Sequence, residues 1–218
     1  MSAVKRPAPS MATSLTSSRV TAAVERALDE RQREATEEVE RILAAAVRVM
    51  ERVAPDPPRV SDIVAEAGSS NKAFYRYFAG KDDLILAVME RGVAIVVSYL
   101  QHQLAKESQP RDKIARWIEG TLAQVADPHL MSKSRAAAGQ MSGGTNWRAP
   151  DQEMMRPLRD LLIEPITELG STDVERDVEA VFCCTAATMR RYMGSADRPG
   201  PGDIAHVVRF CLNGLGVS

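Results

Sequence analysis

The sequence predicts an all-α protein in two parts, a three-helix N-terminal head and a larger helical body. Three observations carry this. Apolar residues recur at spacings of three and four through most of the 218 residues, the period of helices with one buried face. Gly, Pro, Ser and Asp punctuate these stretches where helices should start and stop. No stretch reads as a strand, and no internal repeat is present.

Composition sets the class. At 44% hydrophobic and 26% charged, the chain can bury a core and has an ordinary charged fraction. The net charge is −1, so any attraction to a polyanion must be local. No apolar run reaches the ~18 residues of a membrane span, which predicts no membrane partner. Met1–Ser18 is rich in Ser, Ala, Thr and Pro, and lacks the apolar core of a signal peptide. It reads as a disordered tail, with Lys5 and Arg6 in a minor groove as the alternative. Arg19–Arg33 is charged and helix-compatible, and extends the next helix or frays from it. Residues 1–30 are therefore set apart as an extension.

The head is placed at 31–82. Its first helix carries Val39, Ile42, Leu43, Ala46, Val49, Met50 and Val53 as one stripe, and Pro55, Pro57 and Pro58 end it. In the second, Val60, Ile63, Val64 and Ala67 share a face. Gly68 follows, suited to the left-handed residue that closes a helix. Ser69 and Ser70 offer oxygens to the free N–H groups of a third helix. There Phe74 and Phe78 point inward together. Asn71, Lys72, Tyr75 and Arg76 fall on the opposite face, an amide, two cations and a phenol suited to phosphates and base edges. Two short helices across a tight turn, with such an outer face, form a helix-turn-helix. Between Arg59 and Lys81, the cations Arg59, Lys72, Arg76 and Lys81 face the carboxylates Asp62 and Glu66, a local balance of +2. That is modest and calls for two heads acting together.

The body is placed at 83–218. A long helix from Lys81 to about Leu104 carries Leu84, Ile85, Val88, Ile95 and Val96, with Gly92 interrupting it. Pro110 opens the next, with Ile114, Trp117, Ile118, Leu122 and Val125, and Asp127-Pro128 stops it. A short helix around Leu130–Ala138 and a loop over Gly139–Pro150 follow. Met154 to Leu169 is helical, with Pro157 near its start and a kink at Pro165. Asp173–Met193 and Asp203–Leu215 close the chain with clean apolar rows, joined by a Pro199–Gly202 turn.

The run AEAGSSNKAFYRYFAGKDDLILAV resembles the signature of the tetracycline-repressor (TetR) family of bacterial transcription regulators. The shared features are Asp62-Ile63, Ala67-Gly68, Phe74-Tyr75-x-Tyr77-Phe78, Lys81 and the apolar run after it, covering roughly a quarter of the chain. The resemblance implies a cytoplasmic, homodimeric, ligand-responsive repressor whose third helix enters the major groove of a double-stranded operator. It gives Tyr75 and Lys81 the phosphates, with Tyr77 a second phosphate contact. The candidate DNA contacts are Arg59, Ser61, Ser70, Asn71, Lys72, Ala73, Tyr75, Arg76, Tyr77 and Lys81. Ser69 stands where the family has a small apolar residue, Lys72 where it has a small one, and Ala73 where it has threonine. These departures imply an unusual operator.

The chemistry search predicts no enzyme, cofactor or metal. His102, His129 and His206 are scattered. Cys183, Cys184 and Cys211 lack metal-ligand spacing, and no phosphate loop or nucleophile elbow occurs. The body instead supplies soft lining material in Trp117, Met131, Met141, Trp147, Met154, Met155, Met189 and Met193. With the family's inducer cavity in view, Trp117, Met154, Leu158, Phe182 and Met189 are the candidate residues for a small apolar or amphipathic inducer. Val181, Cys184, Thr185, Val207, Cys211 and Leu215, on the last two helices, are the candidate dimer interface. The rival reading is an all-α small-molecule binder or enzyme with an incidental basic helix pair.

Overall fold

A computed structural model describes residues 11–54, 56–128, 130 and 148–216. Its elements are α1 (Met11–Val53), α2 (Val60–Glu66), α3 (Asn71–Tyr77), α4 (Lys81–Leu104), α5 (Pro110–Ala126), α6 (Arg148–Asp160), α7 (Ile163–Glu168), α8 (Val174–Met193) and α9 (Pro201–Gly214). No strand occurs among the described residues. The short helix expected near Leu130–Ala138 and most of the loop over Gly139–Pro150 lie outside them, with Met131, Met141 and Trp147.

Two apolar cores organise the chain. The first gathers Ile42, Ala45, Ala46, Val49 and Met50 of α1 around Ile63, Val64, Phe74 and Phe78, and closes on Leu84, Ile85 and Val88 of α4. Phe74 is fully buried and stacks at 5.5 Å on Phe78. Gly68 adopts φ +60°, which lets the chain reverse between α2 and α3. Ion pairs brace the outside. Glu66 of α2 accepts from Arg48 at 2.8 Å and Arg52 at 3.0 Å, while Arg91 of α4 donates to Glu40 at 2.7 Å. The Arg48 and Arg52 guanidiniums hold the Glu66 carboxyl below its ordinary range.

In the body, α5 packs on α4, α7, α8 and α9. Ile114, Trp117, Ile118, Leu122 and Val125 are fully buried against Leu158, Leu162, Ile166, Val178 and Leu212. Where α4 crosses α5, a Cβ on Gly120 would sit 2.5 Å from Leu100 Cδ2, so the glycine permits the close approach.

Five features differ from the sequence reading. α1 runs back to Met11, replacing a tail over Met11–Ser18 with helix. Residues 18–34 are exposed on every side, so their helicity rests on local propensity from Ala, Arg, Glu and Leu. α4 passes through Gly92 unbroken, one glycine costing less than 24 residues of ladder supply. The kink at Pro165 is a full break. α6 ends at Asp160 and α7 starts at Ile163, so Pro165 lies in a first turn, where its missing N–H costs nothing. α6 also starts earlier than Met154, leaving Pro157 inside it. α9 takes in Pro201, with Asp203 accepting the Gly200 N–H at 2.8 Å.

Candidate nucleic-acid interface

The recognition surface begins with a cap. Ser70 Oγ accepts the Ala73 N–H at 3.1 Å and starts α3. From that start the helical period puts Ala73 and Phe74 inward, at 4% and 0% exposure, and leaves Asn71, Lys72, Tyr75 and Arg76 in solvent. Tyr75 is 61% exposed, although its ring edge meets Phe74 at 5.1 Å. Arg59, Ser61 and Ser70 are exposed beside this face. Lys81 is the first residue of α4, a cation at the positive end of a helix dipole. That placement is unfavourable alone and favourable with a phosphate nearby.

Two expected contacts are placed differently from the rest of the face. Ala73 faces the core and offers no side chain to DNA; position three of so short a helix belongs to the buried row. The Tyr77 hydroxyl is already engaged. It donates to Glu38 Oε2 of α1 at 2.9 Å and accepts from Arg76 Nη1 at 3.3 Å. Ser69, the departure after Gly68, donates to Glu38 Oε1 at 3.2 Å. Arg76 also lies 3.7 Å from Glu38 Oε2 and 5.4 Å over the Tyr77 ring. Sequence reasoning missed Glu38 because its partners lie 31 and 39 positions away. The hydroxyls at 69 and 77 were the only signal that an acceptor was needed.

The body's candidate residues separate into wall and core. Trp117 and Leu158 are buried at 0% and 3%, and Phe182 and Met189 pack against the same core. The Trp117 and Phe182 rings are 6.3 Å apart. Met155, rather than Met154, packs against this cluster; one residue along a helix turns the side chain by ~100°.

The candidate dimer residues are also placed largely inside the chain. Val181, Thr185, Val207 and Cys211 are buried at 3%, 0%, 8% and 5% within one chain, and Cys184 and Leu215 pack at the same core. Much of the apolar rows of α8 and α9 therefore packs within the chain, on α5. Thr185 satisfies its hydroxyl on the Val181 carbonyl at 2.9 Å. What the pair turns outward includes Cys183, Ala187, His206 and Phe210, the last 63% exposed. A groove of about 320 Å³ beside Phe210 runs between the two helices, lined also by Cys184, Thr188, Arg191 and Tyr192.

Burial pushes the Cys211 thiol up to about 12, helped by Cys184 beside it, so it is a poor nucleophile. No group of three His, Cys, Asp or Glu side chains among the described residues could hold a metal ion. No described helix is long and apolar enough to cross a membrane.

A polar, cation-bearing helix following a capped turn on a three-helix head forms a helix-turn-helix. Residues 42–88 match the family model described as bacterial regulatory proteins, tetR family. The HTH-type transcriptional regulator YvdT of Bacillus subtilis (strain 168), itself uncharacterized, is 43% identical over 51 residues, 23% of this chain and 26% of YvdT. That match spans only about a quarter of the relative's length. The whole fold is similar to the Bacillus subtilis regulator FadR in complex with stearoyl-CoA, with TM-score 0.64 and 18% identity over 81% of this chain and 96% of that one. It is also similar to a transcriptional regulator from Saccharomonospora viridis in complex with choline, with TM-score 0.62 and 18% identity over 83% and 96%.

Proposed function

We propose that this chain is a ligand-responsive DNA-binding transcriptional regulator. In this reading it is a homodimeric repressor that leaves a palindromic operator when a small apolar or amphipathic molecule binds. The observation that carries it is the α3 face. Asn71, Lys72, Tyr75 and Arg76 are all exposed on one helix, whose other side is locked into a core by Phe74. An amide and a lysine at the helix start read base edges, while Tyr75, Arg76 and Lys81 take phosphates. The head spans 31–82 and the body 83–218, with α4 carrying motion from one to the other.

The inducer site lies in the body, near Trp117, Leu158, Phe182 and Met189, with Met155 in place of Met154 against that cluster. Similar folds in complex with stearoyl-CoA and with choline support a ligand-responsive reading. The second copy docks on the outer faces of α8 and α9 around Phe210, giving two heads on a two-fold axis. Gel-shift titration with genomic fragments tests the reading. Retarded, competitor-resistant complexes are expected, and their absence at micromolar protein would contradict it.

A further inference from the structure

Glu38 stands outside the helix-turn-helix, yet three of that unit's polar groups converge on it. Oε1 accepts from Ser69 in the turn. Oε2 accepts from Tyr77 at the end of α3 and lies 3.7 Å from Arg76. The carboxylate is held at 23% side-chain exposure, while Arg76 remains 58% exposed. Tyr77 is the middle of a relay, its O–H given to Glu38 and its oxygen taken by Arg76 Nη1. Both functions of the hydroxyl are used, so none is left to donate to a phosphate. The relay engages the guanidinium through Nη1, with its carbon 5.4 Å from the Tyr77 ring centroid, while the Arg76 side chain stays 58% exposed.

We infer that Glu38 is a positioning residue for DNA recognition, aiming the Arg76 guanidinium at a phosphate through Tyr77 and tying both ends of α3 to α1. This rests on the DNA-binding reading above. Tyr77 then serves the protein rather than the DNA, and Arg76 takes the phosphate role that Tyr77 seemed to hold. Arg76 is long and rich in rotamers. Ordering it before contact removes part of the entropy that binding would otherwise cost.

The test measures binding of full-length variants to sonicated mixed-sequence duplex DNA across a salt series. Such DNA needs no known operator and counts phosphate contacts through the salt slope. Glu38→Ala should lower affinity by about tenfold and reduce the slope by about one, the signature of a lost phosphate contact. Tyr77→Phe should do the same. The double variant should lose no more than either alone, because both act through one relay. Glu38→Gln keeps one oxygen to accept from Tyr77 and offers its NH2 to the Ser69 oxygen, and should recover binding to within about threefold of wild type. Glu34→Ala, four residues back on α1 and exposed, should bind as wild type does.

Tighter binding by Glu38→Ala would overturn the inference by making Glu38 a repulsive neighbour of the phosphate. So would a lowered melting temperature with the salt slope unchanged, which would make the cluster merely structural. A wild-type protein that fails to bind DNA even at low salt would remove the functional reading itself, a different result from wild-type binding that the variants leave unmoved.

Discussion

The Trp117 indole N–H donates to the Leu158 carbonyl at 3.0 Å, joining α5 to the end of α6 across 41 positions. That carbonyl is among the last four of α6, and the Leu162 N–H that would have taken it in a longer helix turns to Arg159 instead. The indole therefore caps a buried helix end. Trp117→Phe should cost about 1–3 kcal/mol by leaving that carbonyl unpaired. Denaturant unfolding would show the loss as a lower midpoint at unchanged slope, and an unchanged midpoint would mean that the carbonyl finds water.

Glu66 ties α2 to α1 through Arg48 and Arg52, and its folded-state pKa lies below the ordinary 4.5. A depressed carboxylate pKa adds stability that is present above the unfolded value and disappears as pH falls through the folded one. Glu66→Gln should thus melt below wild type at neutral pH, and the gap should close on acidification below the usual carboxylate range. A gap that stays constant with pH would show that packing, not charge, sets it.

On the recognition face, Tyr75→Phe should weaken binding to all DNA sequences by a similar factor, because a phosphate contact carries no base information. Lys72→Ala or Asn71→Ala should change base preference, at about 1–3 kcal/mol for the affected position. Binding to an operator and to its single-base variants separates the two patterns. Equal losses on every sequence would make Lys72 a backbone contact.

Phe210 and Val207 sit three apart on α9, yet one is 63% exposed and the other 8%. Phe210→Glu should leave a folded chain that sediments as a monomer and loses its operator. Val207→Asp should unfold it, since an unpaired carboxylate enters the core. A Phe210→Glu protein that stays dimeric would move the interface off this face.

These contrasts show how far the sequence was legible. The head was readable nearly residue by residue, because Gly68, Ser70 and the Phe74–Phe78 pair each act on immediate neighbours. The body yielded its helices but not their partners. A clean apolar row on α9 states that something covers it, and periodicity cannot distinguish α5 from a second copy. Glu38 escaped for a related reason, being an unremarkable glutamate on an exposed stretch until α3 folds against it. Pro165 was legible as a kink, but not as the first turn of a separate helix.

Selection of genomic fragments by the full-length protein tests the central claim most directly. The account predicts strong enrichment of a few fragments sharing a palindrome, with half-sites one helical turn apart at about 34–36 Å, or a multiple of that. Recovery of fragments in proportion to the input, with no shared sequence, would contradict it.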